Sequence, residues 1–274
     1  MNGKLYFVAT PIGNLGDMSF RAVETLKNVD EILCEDTRSS LKLLNFYDIK
    51  KPLSAYHKFN YKTVIPTIIE NLKNGKNYAV ITDAGMPCIS DPGSELVPYL
   101  QQNGIEYTII PGACAFVSAI ALSGKTAPFT FVGFLPDNKK EEKKVLENLK
   151  DIQTNLIFYV APHKLITTIK NLYSAFGNRK CTSVREITKI YEEVENFDLE
   201  SGYPKEPKGE YVLIVCPSEK QAQNDLNTLS VLEHFDYYQK LGYTKNDAIK
   251  QVAKDRNVQK NDIYKKVVNS KNNS

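Results

Sequence analysis

The residues best suited to do chemistry in this chain stand where short apolar runs end. TDAGMPCISDPGSEL, residues 82–96, puts Asp83, Gly85, Pro87, Asp91, Pro92 and Gly93 directly after the run YAVIT. Such a loop holds little material for a core, so it suits either close backbone approach to a ligand or a structural Ω-loop. ATPIGNLGDMS, residues 9–19, leaves LYFVAT through two glycines and a proline, as a ligand-binding turn or a plain tight strand-to-helix turn would. PGACAF, residues 111–116, opens a helix with small side chains that leave room for a flat group or simply pack closely. A polar set completes the list: Glu35, Asp36 and Arg38 in EDTRSS; Arg185, Glu186 and Lys189 in REITK; Lys208 and Glu210 in KGE. Each reads singly as a surface ion pair. Their shared place at the ends of apolar runs is what suggests one common site.

The elements that must position these groups alternate. LYFVAT, EILCED, YAVIT and EYTIIPG are strand-like, and FRAVETLKNV, SLKLLNFY and SELVPYLQQNG between them have helical spacing, with Gly104 as a helix stop. This predicts an α/β domain with a mainly parallel sheet over residues 1–125, whose ligands belong at the C-terminal ends of its strands. A second series, FTFVGFLP, KKEEKKVLENLK, NLIFYVAP, HKLITTIKNLYSAFG, KCTSVREITK and GEYVLIVCP, predicts a second α/β domain over 126–220, with ALSGKTAP marking the boundary. EKQAQNDLN, residues 219–227, has the look of a linker, and residues 228–274 read as a small basic helical appendix with Thr244 and Lys260-Asn261 at cap or turn positions.

Composition narrows the function classes. The chain has 274 residues, 42% hydrophobic and 24% charged, with a formal net charge of +3, as an ordinary soluble protein does. No run approaches the roughly 18 apolar residues of a membrane span, and MNGKLYFVATPIGNL carries no evident export signal. Five scattered cysteines form no C-x-x-C pair, which fits thiols in a reducing cytoplasm. His57, His163 and His234 are isolated, so no metal is expected. G-x-G-x-x-G and G-x-x-x-x-G-K-[ST] are both absent, which leaves dinucleotide and P-loop readings without support. Residues 230–274 hold nine Lys/Arg against five acids, a basic end that suits a polyanion such as RNA or a merely solvated face.

Taken in order, ATPIGNLGD, EDTR, TDAGMPCISDPG, PGACA, GFLP, FYVAPHK, VREITK and KGE resemble the tetrapyrrole methylase superfamily, and within it the ribosomal RNA small subunit methyltransferase I branch. The likeness covers residues 4–217, and YTKNDAIKQVAKDRNVQKNDIYKKV is similar to that branch's C-terminal helical domain. Ala9, Met86, Val184, Ile187 and Lys208 depart from the usual letters within an intact frame. The resemblance implies two α/β domains with S-adenosylmethionine in the cleft between them, a homodimer, and methylation of a cytidine ribose 2'-hydroxyl in the decoding region of 16S rRNA.

Carried over by position, the resemblance assigns the cofactor to Ile12, Asp83, Ala84, Gly85, Met86, Ile89, Cys114, Ala115 and Val160, largely through backbone groups. A ribose hydroxyl is a poor nucleophile, so a base, or a cation that favours a developing alkoxide, should help. Asp36, Glu186 and Lys189 are the catalytic candidates, with Arg38 and Arg185 holding phosphates. Lys164 and the lysine-rich helix at 139–150 would extend an RNA groove, and the basic appendix would dock on the ribosomal subunit. Two rivals stand beside this reading: methylation of a small corrin or porphyrin precursor, and a non-enzymatic nucleic-acid-binding protein with a helix-turn-helix-like tail.

Overall fold

A computed structural model describes residues 2–125, 128–217, 226 and 228–271, which leaves most of the 219–227 linker segment outside the described residues. Strands β1 (Lys4–Val8), β2 (Glu31–Cys34), β3 (Leu53–Ala55), β4 (Tyr78–Ile81) and β5 (Glu106–Ile110) form one sheet in the order β3-β2-β4-β1-β5. Every pairing in it is parallel. Successive side chains of a strand point to opposite faces, so Phe7, Leu33 and Val80 pack on one face while Val8, Ile32, Cys34 and Ile81 pack on the other. Both faces are covered, as an all-parallel sheet requires.

The second sheet runs β6-β7-β10-β8-β9, from β6 (Phe129–Phe134), β7 (Asn155–Val160), β8 (Lys180–Arg185), β9 (Glu193–Asp198) and β10 (Tyr211–Val215). Only β6 and β7 pair in parallel; the β7–β10, β10–β8 and β8–β9 ladders are antiparallel. Strand β9 has no counterpart in the expected alternation. Its sequence EVENFD is an edge strand with alternate residues exposed, and its Glu193 and Glu195 are held by Lys205, so its polarity disguises it.

The small-residue helix α5 (Ala115–Leu122) joins the two units. Ala119 and Ile120 pack with Ile157, Val184, Val212 and Ile214 of the second sheet. Close packing and a free helix mouth therefore coexist, because the small residues seat the helix while Cys114 and Ala115 remain at its open end.

The last three helices, Val231–Lys240, Lys245–Asp255 and Lys260–Lys271, share a core of Phe235, Tyr238, Ile249, Val252, Ile263 and Val267. Ser230 and Glu233 make a reciprocal capping box, and the Thr244 hydroxyl accepts from the Asp247 amide. No helix among the described residues is long and apolar enough to cross a membrane.

That core also holds a polar chain. The Arg256 Nε donates to Nδ1 of the fully buried His234 at 3.1 Å; His234 Nε2 meets Asp255 at 3.2 Å, and the Tyr238 hydroxyl donates to the same carboxylate oxygen at 2.5 Å. Burial, aided by the Arg256 charge and opposed by Asp255, holds the His234 pKa below its ordinary 6.5. A histidine with a depressed folded pKa contributes stability that is complete above 6.5 and is lost as pH falls below it. Protection of these three helices from hydrogen exchange, corrected for the pH dependence of the intrinsic rate, should therefore fall between pH 7.5 and 5. His234→Gln should flatten that dependence, and equal protection at both pH values would refute the account.

Candidate active site

A cavity of about 490 Å³ lies where the C-terminal ends of β1, β2 and β4, the mouth of α5 and the ends of β7 and β8 converge. That volume is in the range of small-molecule sites. Its first wall is built by zipping two turns together. Thr10 and Gly85 exchange backbone hydrogen bonds at 2.9 and 3.1 Å, which locks ATPIGN to TDAGMP. Gly85 has φ +83°, and a Cβ there would come within 3.2 Å of Ile12 Cγ2.

Ile12, Asp83, Ala84, Gly85, Met86, Ile89, Cys114, Ala115 and Val160 all line this cavity. So do Glu186 and Lys189 from the turn after β8. The remaining candidates stand elsewhere. Asp36 is the N-cap of α2 (Thr37–Phe46), where it accepts the Arg38 amide at 2.8 Å and pairs with the Arg38 guanidinium at 3.1 Å. Those bonds hold the Asp36 carboxyl below its usual range. Arg38 is thereby occupied as well. Arg185 pairs with Glu193 at 3.3 Å and lines a smaller neighbouring cavity. Lys164 pairs with Asp137, outside the cavity wall.

The cavity gains groups to which the sequence assigned no role, chiefly Glu35, Asp91, Tyr159 and Glu210. Glu35 and Asp36 are consecutive after the end of β2, yet Glu35 lines the cavity while Asp36 caps the helix. Glu35, Asp83 and Asp91 make no ion pair among the described residues. Desolvation comes first in raising all three carboxyls; next come repulsion from Asp83 at Glu35, from Asp36 at Asp83, and from Glu35 and Asp83 at Asp91. Asp91 is pushed up to about 6 by burial, then by Glu35 and Asp83.

The opposite wall is a charged triplet. Lys189 Nζ sits 3.0 Å from Glu186 and 2.8 Å from Glu210. Glu186 also accepts the Glu210 amide at 2.9 Å, and its own amide donates to the Glu210 carbonyl at 3.0 Å. Burial works against charge on Glu186, yet the Glu210 amide and Lys189 bring its carboxyl below the ordinary value. Burial likewise opposes charge on Lys189, and the two glutamates outweigh it and raise its pKa. Lys189 is therefore a fixed ammonium and Glu186 a fixed carboxylate across the neutral range. The stem of Lys189 lies over Gly13, where a Cβ would fall 2.4 Å from Cε and 2.5 Å from Cγ.

This arrangement can hold a cation against three unpaired carboxylates, offer an ammonium to an oxygen gaining negative charge, and accept a proton at a carboxylate poised near neutrality. Apolar groups including Ile12, Met86, Val160, Ile187 and Val212 give a flat group a surface to rest on.

Residues 4–201 match the family described as Tetrapyrrole (Corrin/Porphyrin) Methylases. The chain is 45% identical, over 96% of its length and 93% of the relative's, to a Halalkalibacterium halodurans protein named ribosomal RNA small subunit methyltransferase I. It is 44% identical, over the same shares of each chain, to a Bacillus subtilis protein of that name. Among solved structures, diphthine synthase superposes with a TM-score of 0.63 at 16% identity, over 78% of this chain and 90% of that one, a likeness of fold.

Proposed function

The chain belongs to the tetrapyrrole methylase family, and from that premise we propose that it transfers a methyl group from S-adenosylmethionine to a cytidine ribose 2'-hydroxyl in the decoding region of small-subunit ribosomal RNA. The observation that carries the reading is the convergence of Ile12, the 83–89 loop, Cys114, Ala115 and Val160 on one cavity in which Glu35, Asp83 and Asp91 make no ion pair among the described residues. The cofactor brings a sulfonium methyl with a good leaving group, together with an ammonium, so its charge complements Glu35, Asp83 and Asp91. RNA rather than a small acceptor is favoured because the relatives match 96% of the chain, the basic C-terminal helices included.

Positioning does much of the work in such a transfer. Gly85 and the bridged Thr10 fix the loop that cradles the cofactor. Lys189 offers its ammonium to the 2'-oxygen as negative charge develops there, and Glu186 and Glu210 hold it in place. With the cofactor bound, its sulfonium methyl would be the group the 2'-oxygen takes, and Asp91 would receive the 2'-proton. Asp36 is left as a helix cap. Arg185 and Lys164 stay as phosphate contacts, and Arg38 would serve as one by exchanging Asp36 for RNA.

The reading extends to a homodimer in the cytoplasm. The exposed Tyr107 and Ile109 on edge strand β5, with Val117 and Leu122 on α5, support the dimer as apolar surface available for a second copy.

The test is transfer of labelled methyl to small ribosomal subunits lacking the modification, followed by nuclease digestion. Label on a cytidine ribose is expected. Label on a base, or cofactor binding with no transfer to RNA, would overturn the proposed substrate.

A further inference from the structure

The turn between β8 and β9 is bonded far more thoroughly than a loose connection needs. Glu186 and Thr188 adopt φ of +49° and +67°, a region non-glycine residues seldom occupy. The Lys189 amide donates to the Glu186 carbonyl at 3.0 Å and the Glu192 amide to the Lys189 carbonyl at 3.1 Å. The Thr188 amide donates to the Glu192 carboxylate at 2.6 Å, and its hydroxyl reaches across the cleft to Asp17, also at 2.6 Å. Yet this rigid turn presents Ile190 and Tyr191 to water, 93% and 70% exposed. Core packing cannot account for them.

Beside Tyr191 is a second cavity, of about 280 Å³, lined by Arg185, Glu186, Tyr191, Lys208 and Gly209. Glu186 lines both cavities, so an occupant of the second would abut the reaction site. The floor is close because Gly209 has no side chain; a Cβ there would fall 2.5 Å from Glu186 Cγ. The Arg185 Nε is buried without a hydrogen-bond partner, a donor left unmet. Lys208 pairs with Glu206 at 2.8 Å, but both are exposed, and such a pair exchanges readily for a stronger anion. Two cationic groups beside an exposed aromatic face are what single-stranded RNA requires, phosphate on the cations and base on the ring.

We propose that this second cavity is a nucleotide subsite: the nucleotide adjoining the methylated one stacks its base on Tyr191 and sets its phosphate against Lys208 and Arg185. This rests on the RNA reading above and adds to it a fixed anchor that orients the strand toward Lys189.

Two measurements keep the subsite and that reading separable. In methyl transfer to unmodified small subunits, Tyr191→Ala should raise KM for the subunit about tenfold with no change in cofactor Kd. Tyr191→Phe, which keeps the ring, should behave as wild type, and Lys208→Ala should reduce the slope of log affinity against log salt by about one. In parallel, anisotropy of a fluorescein-labelled single-stranded RNA dodecamer reads binding without turnover. If Tyr191→Ala weakens dodecamer binding and Tyr191→Phe does not, the subsite stands even where wild type transfers no methyl to subunits. If Tyr191→Ala binds as wild type, or Tyr191→Phe is equally impaired, the subsite falls even where transfer is robust.

Discussion

Lys189→Met lowers kcat for methyl transfer by about a hundredfold or more, the usual effect of removing one preorganised donor from a developing oxyanion. Methionine keeps the stem that covers Gly13 and removes only the ammonium, so the turn stays packed. Because Glu186 and Glu210 raise the Lys189 pKa, the wild-type group stays charged throughout the working range and gives the rate no alkaline limb near neutrality. Lys189→Arg should not restore the rate, because a broad planar fork does not fit the point between two glutamates that Nζ occupies at 2.8 and 3.0 Å. Gly13→Ala is the complementary probe. It leaves the lysine in the chain but places a methyl where the lysine stem lies, so kcat should fall while Lys189 itself is intact. The check is single-turnover kinetics at saturating cofactor. Turnover of Lys189→Met within a factor of three of wild type would remove the lysine from the chemistry.

How much of this site is visible in the sequence depends on whether a feature is local. The loops at strand ends are local: a run such as YAVIT stops, Gly and Pro follow, and the topology of a parallel sheet places them together. That is why eight positions carried over from separate words meet in one cavity, to which the second sheet adds Val160 at the end of β7. The charged triplet is not local. Glu186 and Lys189 belong to one turn, but the partner that fixes both, Glu210, comes from the far side of the β9 edge strand, which polarity hides. The choice between Glu35 and Asp36 is also settled by local structure rather than by type. Two acids in sequence look equivalent, and only the helix that starts at Thr37, taking Asp36 as its cap, separates it from Glu35 on the cavity wall. Asp91 sits in plain view in SDPG, but its crowding by Glu35 and Asp83 is a fact about two strand-end loops at once.

Asp91→Asn follows from that crowding and should show three effects with different signs. Turnover at saturating cofactor falls by about a hundredfold or more, because asparagine cannot accept the 2'-proton. In the wild-type protein without cofactor, Asp91 titrates at about 6, so cofactor binding should strengthen as pH rises through that value and then level off. Below it the carboxyl is protonated and no longer complements a cation; the asparagine variant, which cannot titrate, flattens this dependence. Bound positive charge favours the carboxylate, so the acid limb of kcat must lie lower than that of cofactor affinity. Stability should move the opposite way. A raised carboxyl pKa means the folded state disfavours the charge, a penalty absent below the ordinary 3.8 and complete above about 6. At pH 7 Asp91→Asn should therefore raise Tm while it lowers the rate, which separates loss of a proton acceptor from loss of fold. If the variant instead keeps wild-type kcat and shows only a weakened, pH-independent cofactor Kd, Asp91 merely neutralises the cofactor's charge, and the proton must leave by another route.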